Sequence, residues 1–306
     1  MSTSYSLKQD LLKRIMELSE PLEPIDTGVK PKLKKLDEIR AVVFDFYGTM
    51  FMSGTGDTMI DNPMGNEAKA FEEAFKTIFP DLKNQPDPKK GAEIYKKAIL
   101  SKKASIKKKE GIEFPEIEIT DIWKDVFREY EKIEFKGLPT DPDDEMLQRL
   151  TIEFEMRNNP TWPMPDLEET LEDLKEKELL LGILSNSQFY TPMIYEAHTG
   201  NEPGQNHFDL NLCIWSYQER MCKPALPFHG ALKHALLAHF HLMPDEILYV
   251  GNDMLKDIYP AHHYGFKTAL FAGDDRSLKW RKDDPKVKGI EPDLIIDRLH
   301  QLVDCV

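Results

Sequence analysis

The sequence predicts an α/β protein: a parallel sheet with helices on both faces, interrupted by a helical insertion. Three observations predict it. Short apolar runs at 41–44, 179–184, 247–250 and 268–271 have the length and unbroken hydrophobicity of strands buried on both faces. These runs alternate with segments of helical periodicity, the pattern of a parallel sheet. Between the first run and the second lies a long stretch, roughly 57–164, that reads as mainly helical.

The first run, Ala41-Val42-Val43-Phe44, ends at a carboxylate, Asp45, followed by Phe46-Tyr47-Gly48-Thr49. A polar residue just past the carboxyl end of a buried strand stands where open α/β sheets place their chemistry. Alone, such an Asp serves as often to turn or cap the chain. Upstream, Leu7, Leu11, Leu12, Ile15 and Leu18 fall at helical spacing, and Pro21, Pro24 and Pro31 then break the chain. We read 1–40 as a helical arm and linker, its amphipathic helix packing on the core or offering a face for pairing subunits.

Met50 to Asp57, with its small residues, reads as a flexible crossing into the insertion. Helices are expected from about Glu67 to Phe79, Gly91 to Lys109 and Asp121 to Tyr130. The Pro-rich stretch Asn159 to Pro165 reads as the return crossing. A helix over Asp166 to Lys177 then leads to the strand Leu179 to Leu184, which ends in Ser185-Asn186-Ser187. A loop from His198 to His207 precedes an extended run, Leu210 to Trp215, then Lys223-Pro224 and a helix from Pro227 to Phe240. The strand Ile247 to Val250 ends in Gly251-Asn252-Asp253-Met254-Leu255-Lys256-Asp257. A helix to Tyr264, a strand Thr268 to Phe271 and a last strand near Asp293 to Ile296 complete the series. The organisation that follows is a core of 41–56 and 165–306 with an insertion of 57–164.

Composition excludes several classes of function. With 41% apolar and 31% charged residues the chain is an ordinary globular one. A formal net charge of -14 argues against nucleic acid or an anionic membrane as partner, because like charge repels. No apolar run approaches the roughly 20 residues that span a bilayer. Lys8, Asp10, Lys13 and Arg14 occupy the place where a signal peptide needs an apolar segment. The 3 cysteines, Cys213, Cys222 and Cys305, form no Cys-x-x-Cys pair and no disulfide framework, so a reducing cytoplasm is the expected compartment.

Polar groups stand at the ends of successive expected strands: Asp45, then Ser185 with Asn186, then Asn252, Asp253 and Asp257, with Lys223 after the Leu210 to Trp215 strand. In a parallel sheet those ends share one edge, so residues far apart in sequence converge. This order resembles the haloacid dehalogenase (HAD) superfamily. Asp45-Phe46-Tyr47-Gly48-Thr49 matches its first motif, Ser185 with Asn186 the second, Lys223-Pro224 the third, and Gly251-Asn252-Asp253 with Asp257, with one change, the fourth. The resemblance covers 40–56 and 165–297, and the helical insertion falls where the family's type 1 cap sits.

The resemblance implies a Rossmann-like three-layer core with a helical cap, and a hydrolase acting on a small, anionic substrate. Asp45 is then the nucleophile that forms a covalent aspartyl intermediate. Lys223 neutralises the nucleophile and substrate, while Thr49, Ser185 and Asn186 belong to the substrate-binding set. Asp45, Asp253 and Asp257 put three carboxylates beside one ammonium. That surplus calls for a cation, and an all-oxygen site suits Mg2+, held also by the Tyr47 backbone carbonyl. The expected activity is Mg2+-dependent hydrolysis of a small phosphorylated metabolite.

Two departures bear on that expectation. Family phosphatases usually carry a second Asp where Tyr47 stands, to protonate the leaving oxygen and activate water, and a phenol of pKa about 10 is a poor base at neutral pH. Tyr at this position resembles the L-2-haloacid dehalogenase branch, whose halide needs no proton; that activity, or a non-catalytic binding protein of the same fold, is the alternative. Against the dehalogenase, no Arg lies between Arg40 and Arg128, where that branch carries a cap arginine. Asn252 stands where the first metal-binding Asp is expected, so Asn252 or Asp253 meets the metal, with Asp253 preferred.

Other features carry the plainer reading. The lysines at 102, 103 and 107–109 read as a solvated helix face. His229, His234, His239 and His241 do not share one helix face and are not read as a zinc site. Trp123, Phe127 and Tyr130 read as the apolar core of the insertion.

Overall fold

The computed structural model describes residues 2–56 and 66–306. The chain forms two compact units, residues 1–20 with 58–160 and residues 21–57 with 161–306. The start of the insertion, expected at residue 57, lies outside the described residues.

The helical unit holds α1 (Ser2–Leu18), α2 (Glu67–Ile78), α3 (Pro88–Glu110), α4 (Ile119–Lys132) and α5 (Asp144–Asn158). Local chemistry sets several ends. Asp87 accepts the Lys90 N–H at 2.8 Å to cap α3, Pro88 opens its first turn, and Gly111 ends it in a left-handed conformation at φ 73°. Asp143 caps α5 through the Met146 N–H, also at 2.8 Å. Aromatic rings fill the interior: Tyr95 lies 4.5 Å and Phe154 5.2 Å from Trp123, centroid to centroid.

Helix α5, not singled out from the sequence, is the centre of this unit. Nearly every side chain from Leu150 to Met156 is buried, including Glu153 and Glu155, so no clean apolar stripe marks it. The two carboxylates are buried with partners. Glu155 accepts the Tyr95 hydroxyl at 2.6 Å. Glu153 accepts Arg14 Nε at 2.6 Å and Nη2 at 3.0 Å, and also pairs with Arg157. Arg14 belongs to α1, so the N-terminal helix is latched onto α5 rather than standing apart as an arm.

The α/β unit is built on β1 (Ala41–Phe44), β4 (Leu180–Ser185), β5 (Cys213–Trp215), β6 (Ile247–Gly251), β7 (Lys267–Phe271) and β8 (Leu294–Ile296). They form one sheet in the order β5-β4-β1-β6-β7-β8, every neighbouring pair parallel. Strand β1 is central and buried along its length, as its unbroken apolar run requires. The register pairs Phe44 with both Ile183 and Val250, which brings Asp45, Ser185 and Asn252 to one edge.

Differences from the sequence expectation are local. The two crossings pair with each other as an antiparallel ribbon, β2 (Phe51–Ser53) with β3 (Thr161–Pro163). Three-residue strands are too short to show an alternating pattern. Between α6 (Leu167–Glu176) and β5, the stretch read as a loop from His198 begins inside a helix, α7 (Thr191–Thr199), which Gly200 closes at φ 74°. Residues 21–40 run along the α/β unit: Lys32 exchanges backbone hydrogen bonds with Ile295 at 2.8 and 3.0 Å. Among the described residues no helix is long and apolar enough to cross a membrane.

Glu153→Gln should destabilise the protein by roughly 2–4 kcal/mol in urea unfolding, because it leaves two arginines facing a neutral amide in a buried position. The same change at solvent-facing Glu145 should cost under about 0.5 kcal/mol.

Candidate active site

Asp45 leaves β1 with its N–H on the Val250 carbonyl at 2.9 Å, so the neighbouring strand fixes where its side chain begins. Its Oδ1 lies 2.6 Å from Lys223 Nζ, and the same ammonium lies 2.7 Å from Asp257 Oδ1. The Lys223 side chain is only 2% exposed, so its charge is balanced by protein carboxylates rather than water. Asn186, at the end of β4, positions the lysine: its Oδ1 accepts the Lys223 N–H at 2.7 Å. Ser185 is fully buried, and its hydroxyl donates to the Asn186 carbonyl at 3.1 Å.

Asp257 is held from every side. Besides Lys223, its Oδ1 accepts the Tyr249 hydroxyl at 3.3 Å and its Oδ2 accepts the Asp253 N–H at 3.0 Å. A side chain on Gly251 would put a Cβ 2.4 Å from the Asp257 carboxyl carbon, so this position tolerates only glycine. The turn carrying Asp257, Met254–Ile258, is a single π-helical turn, a form that often occurs at functional sites.

Burial is the largest influence on Asp257; Asp45 and Asp253 add to it, Lys223 opposes it, and the carboxyl is pushed up to about 7. Burial pushes Lys223 down, but Asp257 and Asp45 outweigh it and hold the ammonium above its ordinary value. Burial and the two carboxylates keep Tyr249 a neutral phenol. His229, whose ring lies 4.9 Å from that of Tyr249, is pushed well down by burial and by Lys223 and stays neutral.

Thr49 and Asn252 form a second pair. The Thr49 hydroxyl donates to Asn252 Oδ1 at 3.1 Å, and Asn252 Nδ2 donates to the Ser277 carbonyl at 2.7 Å. A carbonyl can only accept, so the amide is oriented with its oxygen on the Thr49 side. Gly48 turns at φ 78°, and a Cβ there would lie 2.5 Å from that of Ser277. The Tyr47 hydroxyl meets Thr191 Oγ1 at 3.0 Å.

Asp253 is committed elsewhere. Its Oδ1 accepts the N–H groups of Leu255 at 2.8 Å and Lys256 at 3.1 Å, and its Oδ2 pairs with Arg281 Nη2 at 2.7 Å and Nε at 3.0 Å. Sequence reasoning missed Tyr249, Ser277 and Arg281. Tyr249 passes as one more apolar strand residue, and 274–281 has no periodicity to mark it. That segment is stitched to the fourth motif, with Met254 N–H on Lys279 O and Lys279 N–H on Asn252 O, both at 2.9 Å.

The family model for haloacid dehalogenase-like hydrolases matches residues 39–265, which include all of these groups except Ser277, Lys279 and Arg281. The chain belongs to that family. A search of curated proteins finds no match. Among solved structures, 2-haloacid dehalogenase from Pseudomonas syringae pv. Tomato DC3000 is 21% identical with a TM-score of 0.54, over 87% of this chain and 97% of that one. A HAD phosphatase from Thermococcus onnurineus (19%, TM-score 0.49) and L-2-haloacid dehalogenase from Xanthobacter autotrophicus (17%, TM-score 0.47) each align over the same shares of the two chains. At 21% identity the first of these likenesses speaks for the fold alone.

For this hydrolase the donor set can be compared with what Mg2+ takes. Mg2+ uses one or two carboxylates and fills its sphere with water and substrate phosphate. The second oxygen of Asp45, the Tyr47 carbonyl and the oriented Asn252 Oδ1 suit such an ion. Asp253 and Asp257 already have protein partners on both oxygens.

Asp257 binds its proton more tightly in the folded chain than unfolded, so the fold should lose stability as pH rises from the ordinary carboxylate range through about 7. In metal-free buffer, urea midpoints between pH 5.5 and 8 should show this loss, of roughly 1–3 kcal/mol, and Asp257→Asn should remove it.

Proposed function

We propose that this hydrolase is a Mg2+-dependent phosphatase that transfers the phosphoryl group of a small anionic metabolite to Asp45 and then to water. One observation carries the reading: a single buried ammonium, Lys223, faces two carboxylates at 2.6 and 2.7 Å. With Asp253 matched by Arg281, the site carries one surplus negative charge when Asp257 is ionised. Mg2+, when bound, would supply the positive charge that lets a phosphate dianion approach. Asp45 attacks phosphorus, the bond to the leaving oxygen breaks, and the phosphoryl group rests on the aspartate. Lys223 holds Asp45 in its attacking orientation, and Asn186 holds Lys223.

Tyr47 limits the substrate class. Bonded to Thr191, its phenol can donate a hydrogen bond but is no general acid or base near pH 7. The leaving group therefore departs without a proton from a carboxyl, which favours acyl phosphates, enol phosphates, phosphoanhydrides and aryl phosphates over alkyl esters. Water attack on the aspartyl phosphate lacks a carboxylate base and should be the slow step. We assign substrate selection to the helical unit, as its cap-like place in the chain suggests.

With p-nitrophenyl phosphate and Mg2+, rapid mixing should show a burst of about one equivalent of nitrophenol, then turnover at least about tenfold slower. EDTA should abolish both phases, and Asp45→Asn should reduce them by at least about a thousandfold. Phosphate release that survives Asp45→Asn would sink the assignment. The second reading, an L-2-haloacid dehalogenase-like activity, is favoured by Tyr47, since halide leaves unprotonated when Asp45 attacks the carbon bearing it. Metal-independent chloride release from L-2-chloropropionate would decide for it.

A further inference from the structure

We propose that Arg281 sets the divalent-cation affinity of this site: it holds the Asp253 carboxylate out of the cation's coordination and cancels its charge. The proposal rests on the Mg2+ reading above and concerns a residue outside the four motifs.

Three observations carry it. First, the Asp253 side chain is 3% exposed, so an ionised carboxylate there needs a fixed partner. Arg281 provides one as a fork, with Nη2 at 2.7 Å and Nε at 3.0 Å from the same oxygen. Second, the other Asp253 oxygen is taken by the Leu255 and Lys256 N–H groups at 2.8 and 3.1 Å, which ties the side chain to the turn that presents Asp257. Third, Arg281 has a left-handed backbone at φ 50°, a conformation that costs a non-glycine residue about 1 kcal/mol or more. The adjoining strand-like pairing of Lys279 with Asp253 holds the segment in register despite that cost.

The consequence is a matter of charge. With Asp257 ionised, Asp45, Asp253 and Asp257 carry three negative charges against Lys223 and Arg281. Without Arg281 the balance would be two negative charges rather than one, and a cation site strengthens when a nearby positive charge is removed. A fixed guanidinium would thus leave Asp45 and neutral oxygens, rather than Asp253, to hold Mg2+ when it binds.

The test uses Mn2+ as probe, with binding read by electron paramagnetic resonance on the full chain without substrate. Asp45→Asn serves to show which signal belongs to this site. Arg281→Gln should bind Mn2+ about tenfold tighter or more, a gain that simple structural damage does not produce. Arg281→Lys, which keeps the charge, should stay within about threefold of wild type. The double variant Asp253→Asn/Arg281→Gln restores the charge balance and should also stay within about threefold. Unchanged or weaker binding in Arg281→Gln would overturn the proposal. So would loss of binding in the double variant, since Asp253 would then be a ligand. If Arg281→Gln does not fold, Asp253→Asn decides: with the Arg281 charge unopposed it should bind Mn2+ about tenfold more weakly while the double variant stays near wild type, and unchanged binding in Asp253→Asn would overturn the proposal. No Asp45-dependent Mn2+ binding in any form would instead remove the Mg2+ reading itself, and this proposal with it.

Discussion

The Lys223 ammonium, buried between Asp45 and Asp257, is the interaction on which the rest of the α/β unit depends. A buried lysine charge is tolerated only where carboxylates meet it directly, and a buried carboxylate only where donors surround it. Each partner therefore recruits others. Asn186 fixes the lysine backbone, Tyr249 reaches across from β6 to Asp257, and the Asp253 N–H closes the last oxygen. Gly251 has no side chain because Asp257 occupies the space. The outcome is a buried aspartate at the sheet edge, Asp45, whose neighbours are fixed by the fold itself.

Sheet register converts that local demand into a fold requirement. Asp45, Ser185 and Asn252 follow three adjacent parallel strands, and a slip of one residue would turn each to the opposite face. The segment after β7 then completes the wall. Ser277 orients the Asn252 amide and Arg281 matches Asp253. Gly48 is needed because Ser277 sits against it. The site thus has two electrostatic halves, one around Lys223 and one around Arg281, joined by the turn that runs from Asp253 to Asp257.

The helical unit is organised on the same rule with a different content. Its interior is a cluster of aromatic rings around Trp123. Through that interior runs α5 with two buried carboxylates, each answered by a specific partner. Arg14 joins α1 to this centre, so the first helix of the chain is part of the unit rather than an appendage.

Much of this was legible in the sequence. Apolar runs of strand length alternating with helical periodicity, each run ending in a polar group, define the parallel sheet and the edge where Asp45, Ser185, Lys223 and Asp257 gather. That follows from burial on both faces and from the side-chain period of a strand, both local properties of the chain. What stayed hidden depends on pairing at a distance. Nothing in the order of residues tells how Asn252 and Asp253 are partnered; the Ser277 carbonyl and the Arg281 guanidinium decide it. The two buried glutamates of α5 carry no apolar stripe to mark them, and their partners, Arg14 and Tyr95, come from distant helices. By itself the sequence determined the fold class and the place of Asp45 at the end of the central strand, because hydrophobic periodicity is written along the chain. The partners of each buried charge were decided only by tertiary structure, because a charge is satisfied by whichever group packing brings within about 3 Å.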